Sequence, residues 1–207
     1  MEKPLVERLR QCLDPMPELD ASRRQAAVAL AITDEPEPQL LLIRRSLQLA
    51  LHPGEIAFPG GKLESGDADL RAAALREAWE EVALPAAQFE YCGSLAPRVS
   101  MSGLAVAGFA GVVPPRLPLL ASADEVEEIL YVPLAHFADS GNLRVDRIWR
   151  HGVPRRTPRF EYGGYTIWGM TAGFIVDLVN RLYRAGLVVD ARPPAVSAVT
   201  NEGRSSA

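Results

Sequence analysis

Two blocks of one stretch, Phe58-Pro59-Gly60-Gly61-Lys62 and Ala74-Leu75-Arg76-Glu77-Ala78-Trp79-Glu80-Glu81-Val82-Ala83, decide how the rest of the chain reads. Together they predict a glycine turn, a short polar loop and a helix over residues 67–83. Proline at position 85 requires that helix to stop. Glu77, Glu80 and Glu81 stand at i, i+3 and i+4. At about 100° per residue they share one sector of roughly 100° on the helix surface. Leu75, Ala78, Trp79 and Val82 fall on the opposite side, so one face is expected to pack and the other to present carboxylates. Like charges at this spacing destabilise a helix. A solvated helix face would tolerate them, and a hard divalent cation held by oxygen ligands would remove the repulsion.

Working outward, residues 25–33 read as a buried strand and residues 40–44 as a second, joined by the proline turn at 34–38 into a hairpin. A short strand at 55–58 leads into the glycines. Downstream, 89–96 and 105–113 read as strands. Residues 124–128 open another strand, which runs to Val132, and Pro133 starts a short helix. Residues 143–149, 159–162 and 165–168 are strand-like, with a Gly163-Gly164 turn between the last two. A long helix follows over 170–183, with Phe174, Leu178 and Leu182 on one stripe. Near the N-terminus, Leu5, Leu9, Cys12 and Leu13 define one apolar helix face. Several strands with two substantial helices imply an α/β layer fold, with helices packed on a sheet.

The 207 residues suit one domain with short extensions: an N-terminal helix and linker at 1–24, the domain at 25–185, and a Pro-, Ser- and Gly-rich tail at 186–207, mobile from Ala191. A net charge of -4 argues against general attraction to nucleic acid or anionic membrane, but leaves room for a local phosphate pocket. Cys12 and Cys92 are isolated, which suits reduced thiols and a cytoplasmic setting. No apolar run reaches the roughly 20 residues that span a bilayer. No GxGxxG follows the first strand. Gly60-Gly61-Lys62 also lacks the earlier glycine and the following Ser or Thr of a phosphate-binding P-loop.

The opening stretch resembles the Nudix box, G-x5-E-x7-R-E-U-x-E-E-x-G-U with U aliphatic. Gly61 supplies the glycine, and Arg76-Glu77-Ala78-Trp79-Glu80-Glu81 the central core. Asp67 stands in place of the first glutamate, one extra residue precedes Arg76, and Ala83 replaces the late glycine. Leu41-Leu42-Ile43-Arg44-Arg45-Ser46, the His52, Gly54 and Ala57-Phe58-Pro59-Gly60-Gly61 positions, and Trp168-Gly169-Met170-Thr171-Ala172-Gly173 are similar to the coenzyme A pyrophosphatase branch of that family. Threonine is usual there where Ile43 stands, and arginine where Ala50 stands.

The resemblance implies a Nudix fold, an α/β/α sandwich around a mixed sheet. It also implies Mg²⁺- or Mn²⁺-dependent hydrolysis of a diphosphate in a small coenzyme A-like substrate. Glu77, Glu80 and Glu81 would hold the metal, and Arg76 would orient a glutamate. The general base would be Glu77, Glu80 or Glu125. Arg45, His52 and Lys62 would meet the substrate, Gly60 and Gly61 would allow close backbone approach, and Asp67 would cap or steady the helix start. A homodimer is compatible with the sequence. Two other readings stand beside this one: hydrolysis of another nucleoside diphosphate derivative, such as a nucleotide sugar or damaged nucleotide, and a non-catalytic nucleotide-binding module.

Overall fold

The computed structural model describes residues 3–15, 17, 24–100, 102–150 and 153–189. Most of the expected linker, His151 and the tail expected to be mobile from Ala191 lie outside the described residues. Among the described residues four α-helices are formed: α1 (Leu5–Cys12), α2 (Leu70–Val82), α3 (Leu134–Ala138) and α4 (Gly169–Tyr183). The strands are β1 (Gln25–Thr33), β2 (Gln39–Arg45), β3 (Ile56–Ala57), β4 (Gly60–Lys62), β5 (Glu90–Val99), β6 (Ala105–Val113), β7 (Val126–Pro133), β8 (Arg144–Arg150), β9 (Val153–Tyr162) and β10 (Tyr165–Trp168).

Seven strands make the central sheet in the order β3-β2-β1-β6-β5, with β4 pairing with β1 and β7 with β2. β1 and β6 run parallel over nine residue pairs and the other pairings are antiparallel, so the sheet is mixed. Both central strands are near-continuous apolar runs because both of their faces are covered. Alternation along β1 sends Ala27, Ala29 and Ala31 to one face, against Ala74, Ala78 and Val82 of α2. Leu30 and Ile32 go to the other face, which α1, α3 and α4 cover with Leu9, Phe137, Phe174 and Leu178. Alanines on both sides of the first interface bring α2 close to the sheet, which sets the position of its glutamates. The result is an α/β/α sandwich with a mixed sheet. Leu5, Leu9 and Leu13 of the N-terminal segment join the same core as α4.

A second, three-stranded antiparallel sheet, β10-β9-β8, stands beside β3. Tyr165 on β10 ties it to the main sheet by donating its hydroxyl to Glu128 on β7, at 2.5 Å. No helix among the described residues is long and apolar enough to cross a membrane.

Three local expectations change. Gly60–Lys62 forms strand β4 rather than a turn, because its backbone pairs with Ala26, Ala27 and Val28 of β1. Asp69, not Asp67, caps α2 by accepting the Ala72 N–H at 2.7 Å, an interaction that contributes about 1 kcal/mol. The two faces of α2 are not the ones the sequence pattern gives. Trp79 is 57% exposed and lines an open groove with Leu75, Phe89 and Tyr91, whereas Glu81 is 1% exposed.

Candidate active site

Gly60 and Gly61 carry the geometry that brings α2 and β4 together. A Cβ on Gly61 would lie 2.2 Å from Oε1 of Glu77, so only glycine leaves room for that carboxylate against the strand. Gly60 has φ of 153°, and a Cβ there would meet the Ala27 carbonyl oxygen at 2.3 Å. Its N–H donates to Oε2 of Glu81 at 2.9 Å. Glu81 is thus fixed between strand and helix, with a single backbone donor and a cation for company. That cation is Arg45, whose Nη1 lies 3.6 Å from Oε1 of Glu81. Arg45 continues the alternation of Leu41 and Ile43 along β2, which places it on the α2 face of the sheet. The buried Nε of Arg45 has no hydrogen-bond partner.

Burial pushes the Glu81 carboxyl up to about 8. The Gly60 N–H and Arg45 pull in the opposite direction, and Glu77 and Glu125 push it further up. Glu77 is raised in the same sense by burial, against the pull of Arg76 and with added repulsion from Glu80 and Glu125. The loop before β7 therefore brings Glu125 into the field of both helix glutamates. Glu125 is held there through its backbone, with its carbonyl accepting the Ser46 N–H at 2.8 Å.

Arg76 organises the other side. Its guanidinium forks onto Asp67, Nε to Oδ1 at 3.0 Å and Nη2 to Oδ2 at 3.2 Å, and Nη2 also reaches the Lys62 carbonyl at 3.1 Å. It pairs with Glu77 and with Glu80, each at 3.1 Å. These anions hold Arg76 above its ordinary proton affinity, and the guanidinium hydrogen bonds hold Asp67 below the usual carboxylate range. Asp67 therefore locks the arginine instead of capping the helix. That role was hidden in sequence because nine positions separate Asp67 from Arg76 across a loop.

The expected residues do not all converge. Glu80 is 53% exposed and turned to Arg76. Among the described residues, no three His, Cys, Asp or Glu side chains are gathered closely enough to share a cation. Lys62 pairs in register with Ala26, which alternation places on the sheet face away from Gly61 and Glu77, so its exposed side chain leaves the cluster. His52 braces its own loop by pairing with Glu55 at 3.0 Å. Ile43 is fully buried beneath α2, so the missing threonine hydroxyl concerns the core. Ala50 stands exposed on the loop between β2 and β3.

A family model, the NUDIX domain, matches residues 23–149, more than half of the chain. The chain belongs to the Nudix hydrolase family. Its relatives include the "Uncharacterized Nudix hydrolase NudL" of Escherichia coli O1:K1 / APEC, 45% identical over 161 residues, covering 78% of this chain and 84% of the relative. The protein of the same description from Shigella boydii serotype 18 matches with the same figures. Among solved structures, the MutT protein from Methanosarcina mazei Go1 superposes with a TM-score of 0.51 at 18% identity, over 82% of this chain and 99% of that one, and shares the fold. Nudix hydrolases generally use divalent metal cations.

Proposed function

We propose that this Nudix hydrolase cleaves the diphosphate bond of coenzyme A or its derivatives, giving 4'-phosphopantetheine and adenosine 3',5'-bisphosphate. The observation that carries the reading is the convergence on one buried carboxylate. Arg45, from the 41–46 stretch, and Gly60, from the 57–61 stretch, both contact Glu81. Two separate parts of the coenzyme A-type signature thus meet at the α2 glutamates.

The donor set suits a hard divalent cation. Glu77 and Glu81 are desolvated carboxylates with raised proton affinity; Glu77 adds to the rise at Glu81, and Glu125 adds to both. Glu77, Glu80 and Glu81 would hold Mg²⁺ or Mn²⁺, with Glu80 exchanging its Arg76 contact for the ion. Such an ion neutralises phosphate charge and lowers the pKa of a bound water. The chain's own residues supply the rest. Arg45 offers the unclaimed N–H of a planar guanidinium to a phosphate oxygen. In hydrolysis, water oxygen forms a new bond to phosphorus as the bridging phosphorus–oxygen bond breaks. The water proton passes to a carboxylate, for which Glu77, Glu80 and Glu125 are the candidates. Arg76, locked by Asp67, holds Glu77 and Glu80 in place.

The absence of a cation at Ala50 favours a second reading, hydrolysis of another nucleoside diphosphate derivative. A panel of coenzyme A, a nucleotide sugar and oxidised nucleoside triphosphates, assayed with Mg²⁺ and with Mn²⁺, separates the two. Release of 4'-phosphopantetheine from coenzyme A with the highest kcat/KM is expected. Preferred turnover of another compound would replace the substrate while leaving the hydrolase chemistry intact.

A further inference from the structure

The β8–β9 hairpin carries a surface that the diphosphate chemistry does not use. Arg147 on β8 lies directly opposite Arg156 on β9, and Trp149 lies opposite Pro154 on the same face. Like charges placed directly across a ladder destabilise it. No acidic residue offsets them on that face, because register and alternation put only Val145, Arg147, Trp149, Pro154, Arg156 and Pro158 there. The nearby acids, Asp146 and Glu161, are both engaged by Arg159. Among the described residues, no ion pair or hydrogen bond holds Arg147 or Arg156, and both are exposed. Trp149, two residues along β8 from this pair, is 74% exposed, the most exposed large hydrophobic side chain of the described residues.

Charges on an edge strand guard against edge-to-edge pairing, and β8 is an edge. That accounts for Arg147. It does not account for Arg156, which is on the central strand β9, or for an open tryptophan beside the pair of cations. A flat aromatic ring with two guanidinium groups on one side of it matches a stacked base with a phosphate beside it. Residues two apart on a strand are about 7 Å apart, so one nucleoside phosphate can touch both Trp149 and an arginine.

We infer that the Arg147–Trp149–Arg156 face is a second ligand site, separate from the α2 carboxylates, which binds a nucleoside phosphate by base stacking and phosphate pairing. Arg156 is six residues before Tyr162, the partner of Tyr165, through which the small sheet is tied to Glu128 of the main sheet; that is a span of about 20 Å along the strand. The ligand is either a free nucleotide or the nucleoside end of a substrate, and the chemistry is common to both.

The test is titration of the full chain, without divalent cation, with adenosine 3',5'-bisphosphate, with adenosine alone and with inorganic phosphate. The bisphosphate is expected to quench tryptophan emission and to bind more tightly than adenosine or phosphate. Trp149→Phe is expected to abolish the quench. The double variant Arg147→Gln/Arg156→Gln is expected to lose about tenfold in affinity and to flatten the salt dependence. Arg10→Gln, which removes an exposed cation on α1, is expected to change affinity less than twofold. These positions are exposed, so unchanged melting of each variant checks that the fold survives. Binding that is absent at millimolar bisphosphate, or equally strong in the double variant, overturns the inference. Loss of affinity with a raised KM for coenzyme A identifies the substrate as the occupant, and loss with an unaltered KM identifies a free nucleotide; either outcome supports the site. Failure of the wild type to hydrolyse coenzyme A, with the bisphosphate still bound at Trp149, would refute the proposed substrate and leave this site standing.

Discussion

Helices α2 and α4 cover opposite faces of one sheet and obey different rules. In α4 the apolar stripe goes where its period sends it, with Phe174 and Leu178 buried in the core. In α2 the pattern is inverted within one turn: the large hydrophobe Trp79 faces solvent and the carboxylate Glu81 is sealed in. Burying a carboxylate costs free energy, as its strongly raised proton affinity shows. A helix that breaks the inside-outside rule at a glycine strand built to receive it is placed for chemistry. A helix that follows the rule is placed for stability.

Substitutions that separate activity from stability test this contrast. The largest effect is expected from Glu81→Gln, which keeps an acceptor for the Gly60 N–H but removes the charge. Turnover should fall by about 10²- to 10⁴-fold, with melting temperature equal to or above that of the wild type. In contrast, Phe174→Ala on α4 should cost about 3–5 kcal/mol in denaturant unfolding, while the folded fraction retains turnover. If Glu81→Gln unfolds the protein and Phe174→Ala abolishes chemistry, the assignment of the two helices is reversed.

pH sharpens the same comparison. Glu81 has a folded-state pKa of about 8, above its ordinary 4.5, so the folded chain holds its proton more tightly than the unfolded chain. The associated stability is present at low pH and is lost as pH rises through the interval from about 4.5 to about 8. Metal-free wild type should therefore melt at progressively lower temperature across that interval, and Glu81→Gln should show less of the decline. Added Mg²⁺ should restore the loss most strongly near the top of the interval, where the carboxylate is ionised.

The smallest effect concerns the end of α2. Ala83 adopts φ 54°, the left-handed region, at the position where the family motif has glycine. Ala83→Gly should raise stability by about 1 kcal/mol in denaturant unfolding, without altering turnover.

Much of this contrast was legible in the sequence. The strands at 25–33 and 105–113 are continuous apolar runs that only a doubly covered strand satisfies, and they form as expected. The i, i+3, i+4 glutamates set against Gly61 pointed to a metal-suited face. What remained hidden depends on contacts distant in sequence. Arg45 follows Leu41 and Ile43 onto the α2 face, but its meeting with Glu81, 36 positions on, depends on how α2 packs against the sheet. Asp67 holds Arg76 across a loop, and Asp69, two residues on, takes the capping role. β9 extends back to Val153, beyond the expected 159–162, because exposed arginines and prolines carry no apolar alternation. Trp79 fits a helical apolar face by period alone, and only the depth of Glu81 against β4 turns it outward.

Direct cation binding tests the central claim, that the buried carboxylate of α2 exists to hold a metal. Mn²⁺ can be titrated into wild-type and Glu81→Gln protein near pH 8, with binding followed by calorimetry in buffers of different ionisation enthalpy. The account predicts saturable binding to the wild type with proton release, and loss of at least about 1.4 kcal/mol of that binding, a tenfold change, in Glu81→Gln. Equal Mn²⁺ affinity in the two proteins would contradict it.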